Sequence, residues 1–107
     1  MLKYDLHDSL IESVVFNAES KSLEIAIELC NWRQPDYQSG DPEMLCMRII
    51  FEGVEKYELS IDDFEFDSNE ILEVTYDDDR PTVLAFLTEQ DAETIRIKAK
   101  SVWYSFA

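Results

Sequence analysis

Little in this sequence bends, crosslinks or grips phosphate: its 107 residues include two glycines, three prolines, two cysteines, one histidine and nine basic side chains. Two glycines leave no room for a Gly-rich phosphate loop or a nucleophile elbow. One histidine and two cysteines without CxxC spacing fall short of a zinc site. Against nine basic side chains stand 24 acidic ones, for a net charge of −15. Nucleic acids and anionic membranes are bound by clustered Lys and Arg that displace counterions, so this surface repels them. Long apolar runs are also missing: the longest, Val83 to Leu87, has five residues, and Lys3, Asp5 and Asp8 stand near the start. Neither a signal peptide nor a membrane span is expected, and a cytoplasmic location is.

What is present is a core. The chain is 46% hydrophobic, with six Phe, five Tyr and two Trp. Disordered acidic segments lack such aromatics. A chain this long buries roughly 65% of its unfolded surface, enough for one domain over 1–107 without metal or disulfide. Cys30 and Cys46 read as reduced, half-buried thiols of a cytoplasmic protein.

Alternation dominates the pattern. Leu23, Ile25, Ile27 and Leu29 alternate with Glu24, Ala26, Glu28 and Cys30, which predicts a half-buried strand. Leu45, Met47, Ile49 and Phe51 repeat it, with Cys46, Arg48 and Ile50 on the second face, so this strand is expected to be central and covered on both sides. Gly53 predicts a bulge or bend before Tyr57, Leu59 and Ile61, in a third strand or an extension of the second. Ile71–Tyr76 and Thr82–Thr88 flank a five-residue turn, residues 77–81, suited to a hairpin. A turn at residues 89–92 leads into Thr94–Phe106. Ile95, Ile97 and Ala99 face the core there, with Arg96, Lys98 and Lys100 outside. A phase slip near Ser101 then brings in Val102, Tyr104 and Phe106.

Two stretches are less regular. Leu6, Leu10 and Val14 have helical spacing, but Val14-Val15-Phe16 favours a strand after a turn at His7-Asp8-Ser9. Asn31 to Glu43 holds two prolines and Gly40 without periodicity, and is expected to be the longest loop. With no helix over ten residues, the fold class is all-β: an antiparallel β-sandwich or partly open barrel of about six to eight strands.

Leu6-His7-Asp8-Ser9, followed by Ile11 and Val14 and then Leu23-Glu24-Ile25, resembles the opening of a group of small bacterial proteins of unknown function. They share an LHDS-x-I start, a first hairpin and a closing strand like Ile95-Arg96-Ile97-Lys98-Ala99, and some look like immunity proteins from toxin–antitoxin neighbourhoods. The resemblance implies an all-β cytoplasmic domain and carries over no catalytic residue.

His7 beside Asp8 and Ser9 invites a triad reading, but adjacent residues cannot converge as nucleophile, base and orienting acid. Asp8 and Ser9 are expected to cap a turn. Asp63, Glu65, Asp67 and Asn69 alternate like calcium ligands, yet the required Gly and bidentate Glu are Ser68 and Val74. The solvent face of an extended segment around Phe64 and Phe66 explains them better. No cofactor and no enzymatic activity is expected.

Charge placement remains: residues 52–79 hold twelve acids against Lys56. Like charges crowded together weaken a fold, so the placement suggests a use in binding a protein with a basic surface, as an immunity protein or inhibitor would. The residues expected to carry it are Asp63, Glu65, Asp67, Asp77, Asp78 and Asp79, with Trp32, Tyr37, Trp103 and Tyr104 as aromatic anchors, of which Trp103 is the better surface candidate. The alternative is a self-associating subunit using 94–106 as an edge strand, its acidic surface serving solubility only. With both thiols reduced, urea unfolding should be unchanged by added reductant; a midpoint that falls on reduction would reveal a disulfide.

Overall fold

In a computed structural model, which describes residues 4–78 and 80–106, alternation of inward apolar and outward polar residues builds six antiparallel strands. They are β1 (Leu10–Asn17), β2 (Ser22–Cys30), β3 (Met44–Leu59), β4 (Asn69–Asp77), β5 (Arg80–Leu87) and β6 (Ala92–Phe106). The sheet order is β1-β2-β3-β6-β5-β4, closed into a barrel where β4 returns to β1. A barrel this small is filled by its own side chains. Ile25, Ile49, Phe51, Ile71, Leu84 and Phe86 lie wholly or almost wholly buried inside. Among the described residues no helix is long and apolar enough to cross a membrane.

Closure depends on bending β3 and β6 together. Inward residues run Met47, Ile49, Phe51 and then skip to Val54; on β6 they run Ile95, Ile97, Ala99 and skip to Val102. The skips face each other, because Phe51 pairs with Val102 and Val54 with Ala99. Gly53 stands in the gap at φ 62°, and the register slips by one residue between Val54 and Lys56. The segment after Gly53 is therefore an extension of β3, turned so that Tyr57 and Leu59 again pack on the core.

Four expectations need correcting. Strand β3 is covered on one side only: Cys46 and Arg48 are exposed, because in a closed barrel the second face of every strand looks outward. Cys30 is buried at the end of β2 and Cys46 lies outside, and both are free thiols, so only Cys30 belongs to the interior. The β4–β5 turn is shorter than five residues. Tyr76 pairs with Pro81 and Asp77 with Arg80, because a proline at a strand start costs the ladder little. Strand β6, moreover, is not an edge. It lies between β3 and β5, and its outward Lys98 meets Glu55 of β3 at 3.6 Å, not the acids of β2.

The acids around Phe64 and Phe66 have the predicted cause. Both rings turn inward onto Phe86, at centroid distances of 5.5 and 5.0 Å, and close one end of the barrel. The alternating Asp63, Glu65 and Asp67 are left in solvent.

Gly53→Ala should cost about 1–3 kcal/mol, since an L-residue at this φ is strained and its Cβ would lie 2.9–3.0 Å from the Lys100 side chain. The check is a lower urea midpoint at unchanged slope, with Gly53→Ala/Lys100→Ala recovering only the steric part. A wild-type midpoint would show that the bend does not depend on glycine.

Candidate protein-binding surface

The anticipated binding residues do not form one face. Asp63, Glu65 and Asp67 lie exposed on the connection between β3 and β4, whereas Asp77 and Asp78 lie at the far end of β4. Eight residue steps of about 3.3 Å put roughly 26 Å between those ends. Asp79 falls outside the described residues. Trp32, in a single 3₁₀ turn (Asn31–Arg33), is 50% exposed, with the Arg33 guanidinium 5.1 Å from its ring centroid. Tyr37 is half-buried and closes its own loop, its hydroxyl donating to the Asp41 carbonyl at 3.2 Å. Both share an end of the barrel with Asp77 and Asp78, because β2 and β4 run in the same direction and both finish there.

The Leu6–Ser9 opening is a structural lock. Asp8 takes φ 68° to turn the chain, and Ser9 is fully buried with its hydroxyl oxygen accepting the Cys30 N–H at 2.8 Å. Asp8 does not cap that turn as expected; its carboxylate accepts from Arg33 Nε at 2.9 Å and stands 3.2 Å from His7 Nδ1. Buried Gln34 completes the lock, donating to the Asp5 and Cys30 carbonyls and accepting the Asp5 N–H. The imidazole and carboxylate of His7 and Asp8 face each other, but the Ser9 hydroxyl is turned away to the Cys30 N–H, so the three form no relay. Among the described residues no group of three or more His, Cys, Asp and Glu is placed to hold a metal ion. Burial raises the pKa of the Cys30 thiol, and the Asp8 charge adds to it.

A different surface brings together what the chemistry of docking needs. On the outer face, strand register aligns Val15 with Glu24, Glu24 with Ile50, and Ile50 with Trp103, one row across β1, β2, β3 and β6. Four strands spaced by about 4.8 Å make it roughly 14 Å wide. Val15 is 58% and Trp103 46% exposed, and Ile50 lies half-buried between them. The Trp103 indole N–H donates to Glu52 Oε1 at 2.6 Å, which fixes the ring on the surface. In the adjoining rows lie Ala26 and Arg48, Glu28 and Cys46, and Ser101 opposite Glu52. The face thus carries Val15, Ile50 and Trp103 in one row, interrupted by Glu24 between Val15 and Ile50, with Glu28, Glu52 and the cation Arg48 in nearby rows.

Trp103 was legible from its phase against Val102 and Tyr104. Its partners Val15 and Ile50 were not singled out, although each breaks the inward alternation of its own strand. Tyr104 lies half-buried, packed at 4.8 Å on Tyr4, so it supports the interior and not the surface. The chain matches no protein-family model, no curated protein and no solved structure.

Burial pushes the Tyr76 phenol well above its usual range, with the Tyr104 and Asp5 charges adding to it. The folded chain thus keeps a proton that the unfolded chain releases near pH 10, so this contribution to stability is full below about pH 10 and lost as pH rises further. Urea unfolding should weaken above that pH, and Tyr76→Phe should flatten the decline, leaving the smaller part due to Tyr57, whose pKa burial also raises. An unchanged alkaline slope in Tyr76→Phe would show that Tyr76 ionises freely in the fold.

Proposed function

We propose that this domain is a non-enzymatic binding module that docks a protein partner with a basic surface, using the outer row of Val15, Ile50 and Trp103. The observation that carries the reading is the indole of Trp103, held exposed by Glu52 beside the apolar Ile50, with further carboxylates on the same face. A tryptophan kept in one orientation loses little entropy on binding, and such anchors dominate interface energetics. The acids scattered around the barrel supply long-range attraction to a cationic partner, and the local acids select against an anionic one. An immunity protein or inhibitor acting on a basic toxin is the role that best fits a small acidic domain of this kind, because carboxylates fixed on a rigid sheet compete with phosphates for a basic cleft.

The test places a photo-crosslinking amino acid at Ser105, beside the row, and at Asp62, far from it, in the full chain expressed in its own host. Crosslinks to a basic protein from the first position alone are expected. With that protein in hand, Trp103→Ala should weaken binding at least about thirtyfold through faster dissociation, with association unchanged, and Glu24→Lys/Glu28→Lys should slow association at low salt. Equal crosslinking from both positions, or a Trp103→Ala variant that binds as tightly as the wild type, overturns the assignment.

A further inference from the structure

Backbone pairing is thinnest at the seam where the barrel closes. Strands β1 and β4 meet only through Leu10 with Glu70 and Ile11 with Asn69. Beyond them Ile71 donates its N–H to the Ser9 carbonyl at 2.8 Å and accepts the Asp8 N–H at 3.0 Å. From Leu72 to Asp77 no strand among the described residues lies on that side of β4, since its only other partner is β5. The N-terminal segment rejoins β4 at Tyr76, whose hydroxyl donates to the Tyr4 carbonyl. Between these two attachments opens a cavity of about 420 Å³, within the range of ligand sites.

The lining has a definite chemistry. Leu72, Val74 and the rings of Tyr4 and Tyr76 give it an apolar, aromatic wall, and Asp5 and Glu73 bring carboxylates to it. Its one guanidinium, Arg33, is already held by Asp8 at 2.9 Å and Asp5 at 3.9 Å. Glu73 has no such cation beside it among the described ion pairs, and the β4–β5 turn adds Asp77 and Asp78 at the end of the same strand.

We propose that this seam takes an extended cationic peptide segment of a partner protein, added as a strand along β4 from Leu72 to Asp77. A strand edge is matched by an extended backbone, which adds main-chain hydrogen bonds while alternate side chains find pockets. Here one side of the incoming strand meets the apolar wall of Leu72 and Val74, and the other meets the Glu73 carboxylate, which attracts a guanidinium or ammonium. A second copy of this chain is a poor occupant, because two bodies of net charge −15 repel each other. The seam lies apart from the Trp103 row, so the two assignments stand or fall separately.

The test titrates a blocked octapeptide of alternating Arg and Val into the isotope-labelled full chain, read by amide shifts and hydrogen exchange. Shifts and slowed exchange are expected at residues 72–77 and 4–7. The same peptide N-methylated at each Val keeps every charge but loses ladder donors, and it should bind at least about tenfold more weakly. Glu73→Lys should weaken the parent peptide by a similar factor, and Trp103→Ala should leave it unchanged. Absence of shifts at millimolar peptide, shifts centred on Val15 and Trp103, or equal binding of the N-methylated peptide each overturns the proposal. The peptide comparison decides the matter even if Glu73→Lys fails to fold.

Discussion

A sheet left open would leave one strand unpaired at each side and its apolar face uncovered, and the one helical element among the described residues, a three-residue 3₁₀ turn, is too short to cover either. Bending β3 and β6 around Gly53 removes the difficulty. The bend turns two long strands, 16 and 15 residues, back over the interior they already line, so each serves two sides of the barrel. It also sets the register that aligns Ile50 with Trp103 before the bend and Tyr57 with Ile97 after it. Both the filled core and the outer row therefore rest on a glycine at positive φ, where a side chain would be strained and would press on Lys100 across the ladder.

Closure is completed by polar groups, not by a full strand ladder. Only two residue pairs join β4 to β1, and the remaining work falls to Ser9, Gln34, Asp8 and Arg33, which bind the N-terminal segment to the end of β2. Buried polar groups of this kind stabilise only when satisfied, and Ser9 and Gln34 each find partners. The arrangement accounts for the Leu6–Ser9 opening without assigning it chemistry: leucine for the core, aspartate for a left-handed turn and a guanidinium, serine for an N–H that β2 leaves unpaired. A seam made this way has room beside it, because side chains hold the two elements together at points and not along a line.

Much of this was legible from residue alternation. The inward rows of β2, β3 and β6, the bend at Gly53, the slip near Ser101 and the long loop after Cys30 all follow from local pattern. The strand coverage of β3 was misjudged because Cys46, Arg48 and Ile50 read the same whether their face meets a second sheet or water; closure of the barrel decides it. The role of Arg33 and Gln34 in holding the N-terminal segment had no local signal, since the residues they hold there, Asp8 and Asp5, are 25 and 29 residues away. Acidic residues close in sequence were read as one face, yet strand β4 carries them from one end of the barrel to the other. Charge density along a chain becomes charge density on a surface only where the chain doubles back.

That separation changes what the acids do. Spread over both ends and the outer wall, carboxylates lie further apart than in sequence, and at physiological ionic strength charges beyond about 8 Å are largely screened from each other. Their mutual repulsion is thereby reduced, and the fold carries a large net charge without concentrating it. A cation that comes within that range still meets attraction on every side, but attraction alone does not orient it. Orientation comes from the places where apolar surface interrupts the charge, the fixed indole of Trp103 and the tyrosine-lined seam beside β4. On the proposed function, charge brings a basic partner near, and these two interruptions decide where it stays.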